Sequence, residues 1–267
     1  MSRFVAPIRR HETAKGHHYK DAQGTRVPGV TTIIGDGVPK PALINWAANA
    51  TAEAAVDSWD ELGALAPTAR LKRLQNARYA ERDAAARRGT EVHRAAEQLL
   101  AGKPVKVPEE IAGHVESYAR FLDEFKVEPH LVEFSCVSYR WGYAGTADLY
   151  ATLVLPDHGA KRILLDLKTT RSGVFGETAL QLAAYRYADV WIVDGEEQEP
   201  YEADYAAAIH VRADGYDLVP VEAGEDVHKA FLYAQRVGQF SAASRDLIGA
   251  PIVAPTTSTF RLVREPS

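Results

Sequence analysis

The sequence holds a single cysteine, Cys136, among 267 residues. One cysteine excludes an internal disulfide and any four-cysteine zinc or iron–sulfur site within the chain. No run of about 18 uncharged apolar residues occurs, so no membrane-spanning helix is expected. The opening "MSRFVAPIRRHETAKGHH" lacks the apolar region of a signal peptide. There is no G-x-x-x-x-G-K-S/T stretch, which leaves no phosphate loop for an ATP-driven motor. Internal repeats and obvious linkers are also absent. The expected setting is a reducing cytoplasm.

The chain is 46% hydrophobic and 25% charged, as in ordinary globular proteins. Its net charge of −5 argues weakly against nucleic acid, but hides an uneven distribution. Residues 66–94 carry eight bases, Arg70, Lys72, Arg73, Arg78, Arg82, Arg87, Arg88 and Arg94, against Glu81, Asp83 and Glu91. Residues 190–204 carry six acids and no base. A basic helical stretch can track a phosphate backbone. The plainer alternative is a solvated helix face laced with charge pairs.

Periodicity predicts a helical N-terminal half followed by a mixed core. "HHYKDAQGTRVPGVTTII" (17–34) reads as a hairpin, and "KPALINWAANATAEAAVDSW" (40–59) as a helix with Pro41 in its first turn. Another helix is expected over about 67–86, with a restart after Gly89 that ends near Gly102, and a further one over 108–127. Three strands follow, 131–141, 142–155 and 161–170, then a helix at 177–191. Two more strands ("YAAAIHVRA" and "YDLVPVE") and a helix at 224–243 complete the pattern. The expected organisation is one domain over 1–245. It comprises a helical N-terminal region (residues 1–128), a core of about 129–222, the helix of His93, and the last helix. A Pro/Thr/Ser-rich tail, 246–267, is unassigned.

Within this pattern, "ILLDLKTT" (163–170) breaks an apolar run with Asp166 and Lys168. Alternation places Asp166, Lys168 and Thr170 on one face and Leu165, Leu167 and Thr169 on the other. Buried charges persist when paired with one another or with a metal; alone, a D-x-K reads first as a strand-end ion pair. Two neighbouring strands also carry an acid in an apolar stretch, Glu133 in "HLVEFSCV" and Asp148 in "YAGTADLYATLV". Three carboxylates on adjacent strands repel one another, and a divalent cation relieves that repulsion. On the following helix Gln181 and Tyr185 are four apart and share a face. Upstream, "RRGTEVH" places His93 in the first turn of the restarted helix, where its imidazole could supply a nitrogen ligand.

Taken in order, G-T-x-x-H, an acid in a strand, G-T-x-D-L, D-L-K-T and Q-L-x-x-Y resemble the RecB-like branch of the PD-(D/E)XK nucleases. The resemblance covers about residues 89–185. The stretch "VPGVTTIIGDGVPKPALINWAA", with Lys40 and Trp46, is similar to the opening of stand-alone phage-type members. It implies an α/β fold with a restriction-endonuclease-like αβββαβ core, a mixed central sheet and a helical N-terminal half. It also implies metal ligation by His93, Asp148, Asp166 and the backbone carbonyl of Leu167. Glu133 matches the first acidic motif, Lys168 the catalytic lysine, and Gln181 and Tyr185 a motif beside the active site. The implied activity is a Mg²⁺- or Mn²⁺-dependent deoxyribonuclease, foremost an exonuclease of recombination, repair or replication, in a bacterial or phage-infected cell. A structure-specific endonuclease and an inactive DNA-end binding protein are the alternatives. DNA is the expected partner, with a single-strand annealing protein as a possible second. With one cysteine, no iron–sulfur cluster is expected, and with no phosphate loop, no ATP.

Overall fold

The computed structural model describes residues 4–13 and 16–252. Its first elements are strands β1 (Arg9–Thr13), β2 (Gly16–Lys20) and β3 (Arg26–Val27), which form a small antiparallel sheet. Four helices follow: α1 (Val30–Gly37), α2 (Pro41–Asp57), α3 (Trp59–Ala64) and α4 (Pro67–Leu100). Then come α5 (Glu109–Glu124), β4 (Glu128–Ser138), β5 (Tyr143–Leu155), β6 (Gly159–Lys168) and α6 (Glu177–Arg186). The chain continues through β7 (Val190–Val193), β8 (Glu196–Gln198), β9 (Tyr205–Val211), β10 (Tyr216–Pro220) and α7 (Glu225–Ala243). A 3-10 turn spans Ser244–Leu247.

The main sheet has seven strands in the order β10-β9-β6-β5-β4-β7-β8. Only β6 and β9 pair in parallel, and α6 lies between them in sequence, so the sheet is mixed and the architecture α/β. One face packs against α1, α6 and α7 through Val30, Ile34, Leu164, Leu182, Trp191 and Phe231. The other packs against α4 and α5 through Val92, Tyr118, Phe121, Leu149, Leu165 and Leu167. Both faces of β6 are therefore covered, which explains its continuous apolar run.

Three local expectations are corrected. The β-branched run after Pro28 is a helix, α1: Val30, Ile33 and Ile34 lie at helical spacing and are buried. Tertiary burial of that stripe outweighs strand propensity. Gly89 does not restart a helix, because α4 runs unbroken from Pro67 to Leu100, and His93 lies within its body rather than in a first turn. A Cβ on residue 89 would stand 3.3 Å from Thr169 Oγ1, so this glycine marks close approach of the helix to the end of β6. Helix α6 stops at Arg186, and "VWIV" forms strand β7 along β4, where Trp191 is wholly buried. Of the expected tail 246–267, residues from 253 onward lie outside the described residues.

Candidate metal and hydrolytic centre

The two-residue alternation of the sheet slips in the middle of β4 and β5. In β5, Ala147 and Tyr150 join the cluster under α6 while Leu149 joins the opposite one. In β4, Leu131 and Phe134 share the first cluster although they are three apart, with Val132 in the other. Both slips occur at an acid, Asp148 and Glu133. The two are opposite by register, since Val132 pairs with Leu149 and Phe134 with Ala147. Glu133 has a φ of 49°, a left-handed backbone that a non-glycine residue holds only when its surroundings impose it. Such strain collects at functional sites.

Beyond Leu165, β5 no longer pairs with β6. Asp148 takes over: its Oδ2 accepts the Leu167 amide N–H at 2.7 Å. The same oxygen lies 3.7 Å from Nδ1 of His93, brought in by α4. One ligand atom from each of His93, Glu133 and Asp148 can be chosen so that all lie within 4.8 Å of one another. They line a cavity of about 20 Å³ together with Leu167, Tyr118 and Glu97. That volume suits one water or one ion rather than an organic ligand.

The electrostatics of the trio suit a cation. Burial, followed by the charge of Asp166, pushes the Asp148 carboxyl up to about 8, against the pull of the Leu167 amide and Lys168. Burial and the neighbouring Asp148 push Glu133 up as well. Burial holds His93 below the ordinary imidazole range, so the ring is neutral and has a lone pair to offer, even though Asp166 and Glu133 draw it upward. Two carboxyls pushed up by burial and by a neighbouring acid, beside a neutral imidazole, form an oxygen-and-nitrogen donor set suited to a hard divalent ion.

Asp166 lies outside this trio. It is 2% exposed at its side chain, and its Oδ2 sits 2.5 Å from Lys168 Nζ as an ion pair, with no hydrogen-bond donor aligned on that oxygen. Its Oδ1 accepts from Gln181 Nε2 at 2.8 Å. Gln181 Oε1 accepts from Lys168 Nζ at 3.2 Å, and Tyr185 Oη accepts from Gln181 Nε2 at 3.1 Å. Gln181 thus orients both the acid and the amine, and Tyr185, fully packed, orients Gln181.

All eight residues singled out from the sequence gather around the middle of β4 and β5 and the C-terminal end of β6. The trio has Glu133 where the sequence pattern implied Asp166, and the Leu167 backbone contacts both Asp148 and His93. Three contributors were missed. Arg10 of β1 reaches Glu133 at 3.4 Å. Tyr19 of β2 shares a 2.6 Å hydrogen bond with Thr146, two residues before Asp148. Glu97 lines the cavity; it stands four residues after His93, a same-face spacing that could have revealed it. Nothing in the sequence announces Arg10 or Tyr19, which arrive through tertiary packing of the N-terminal hairpin.

Among the described residues no helix is long and apolar enough to cross a membrane. No protein-family model matches the chain, and no curated protein matches it either. Among solved structures, the crystal structure of SSO0001 is similar over 61% of this chain and 76% of its own, with 15% sequence identity and a TM-score of 0.28.

Proposed function

We propose that the chain is a divalent-metal-dependent DNA nuclease, foremost an exonuclease, built on a restriction-endonuclease-like core. The observation that carries this reading is the convergence of His93, Glu133 and Asp148 on an ion-sized cavity, with the Asp166–Lys168–Gln181 network beside it. The succession α5, β4, β5, β6, α6 and the parallel strand β9 supports the core assignment.

His93, Glu133 and Asp148, with the Leu167 carbonyl, would hold Mg²⁺ or Mn²⁺. When bound, such an ion polarises a phosphoryl oxygen and lowers the pKa of a coordinated water. The residues of the chain do the rest. Lys168 keeps an ammonium at the edge of the site, where it can donate to a phosphate oxygen or to the attacking water. Asp166 and Gln181 fix that ammonium on its short tether, so its position is set before substrate arrives. Burial of Asp148 and Glu133 gives their charges a low-dielectric setting, in which a cation is held more strongly than at the surface.

Digestion of end-labelled linear, single-stranded and closed circular DNA in Mg²⁺, Mn²⁺ or chelator tests the reading. Linear DNA should be degraded with metal and spared in chelator. Lys168→Ala and Asp166→Ala should each lower the rate by at least about 100-fold with the fold retained by circular dichroism. Cleavage of the closed circle would mark an endonuclease instead. Unchanged rates in both variants would refute the assignment.

A further inference from the structure

On the α6 side of Lys168 lies a second cavity of about 240 Å³. It shares Lys168 and Gln181 with the candidate centre, and is otherwise bounded by Ile34 of α1, Lys40 before α2, Phe175 in the loop after β6, and Glu177 of α6. It is far larger than the roughly 15 Å³ that one water requires. Its charges are matched internally. Lys40 Nζ faces Glu177 Oε1 at 3.9 Å, and Lys168 is paired with Asp166. A cavity balanced in this way has no excess of cations for a phosphate. It offers an aromatic ring, an apolar floor at Ile34, and polar side chains of both donor and acceptor type around the edge. Phe175 is 49% exposed at the edge of this cavity, which leaves its ring accessible to a planar ligand.

Resting on the nuclease reading, we propose that this cavity receives one unpaired nucleobase, the base attached to the nucleotide whose phosphate lies at Lys168. The base stacks on Phe175, and its polar edge meets Glu177 and Gln181. A base inside a duplex cannot enter, because its edge is paired and both of its faces are stacked. The preferred substrate is therefore single-stranded DNA or a frayed end, bound with little sequence preference because every base has a face to stack.

The test uses short single-stranded oligonucleotides carrying 2-aminopurine at the 5′ end, the middle or the 3′ end, mixed with the full chain in chelator. At one label position or more, wild-type protein should quench the fluorescence severalfold as the base stacks. Phe175→Ala should remove that quench and weaken binding about tenfold, while Phe175→Tyr retains both. Failure of the wild type to bind or to quench overturns the proposal, as does a quench that survives in Phe175→Ala. Metal-dependent cleavage of the same oligonucleotides by wild-type protein is scored separately. Cleavage with no effect of Phe175→Ala on the label sinks the base pocket and leaves the nuclease reading standing. A label response lost in Phe175→Ala without any cleavage in Mn²⁺ sinks the nuclease reading and leaves a single-strand binding pocket.

Discussion

At the scale of single residues, burial makes the ionisation of Asp148 costly. Its carboxyl rises to about 8 in the folded chain, against about 3.9 in an unfolded one. The folded state therefore binds this proton more tightly, and between those two values the contribution of Asp148 to stability falls as pH rises. Asp148→Asn removes the ionisation while keeping an oxygen for the Leu167 amide. In chelator at pH 8 it should melt about 3–6 °C higher than wild type, corresponding to about 1–2 kcal/mol, with no difference near pH 4. Differential scanning calorimetry at the two pH values decides it; equal melting temperatures at pH 8 would show that the charge is not strained. The same substitution removes a proposed metal ligand, so stability and activity are expected to move in opposite directions. Asp148, Glu133 and Asp166 were legible in the sequence because each acid interrupts an apolar run. Their separate roles were not. Whether an acid faces the trio or the lysine depends on the slip of alternation at Glu133 and Asp148, and that slip is a property of paired strands rather than of either strand alone.

At the scale of elements, close contacts hold the orienting residues in place. A Cβ on Gly145 would stand 2.4 Å from a ring carbon of Tyr185 and 3.0 Å from Val30 Cγ2. Gly145→Ala should therefore displace Tyr185, and with it Gln181 and Lys168, while leaving the trio in place. The expected result is a loss of about 1–3 kcal/mol in chemical denaturation and a drop in cleavage rate larger than the drop in metal affinity. Equal losses of rate and metal affinity would contradict this chain of contacts. Helices α5, α6 and α7 were readable from their apolar spacing and their starting acids or prolines. Helix α1 was not, because "VTTII" carries the composition of a strand and only its burial against α6 and α7 selects the helical period. Gly89 misled for a related reason: its missing side chain serves a contact with Thr169, nearly 80 residues away in sequence, which local reading cannot sense.

At the scale of the whole molecule, α4 is about 50 Å long and carries the basic stretch toward His93. Much of that charge is engaged within the chain. Arg70 donates to the carbonyls of Leu62, Gly63 and Leu65, while Arg73, Arg82 and Arg88 contact Glu61, Asp83 and Glu110. Among the described residues, Arg78 contacts only the hydroxyl and ring of Tyr79, and it lies on another side of the helix. Lys72, Arg87 and Arg94 also have no acidic partner among the described residues, and at 3.6 residues per turn these last three fall within about 60° of one another. The salt dependence of DNA binding should reflect these three rather than all eight bases. Replacing all three with glutamine should flatten the slope of log K against log salt by about 2–3, whereas eight free cations would have contributed about 6–7. Fluorescence anisotropy over a salt series in chelator reads the difference, and an unchanged slope would remove α4 from the DNA path. Cation binding at His93, Glu133 and Asp148 is the central claim of the proposed function, and Mn²⁺ titration by isothermal calorimetry tests it most directly. Wild-type protein should bind Mn²⁺ saturably and release protons on binding at pH 7, and Asp148→Asn should lose that binding. Absence of binding in wild type, or equal binding in Asp148→Asn, would contradict the account.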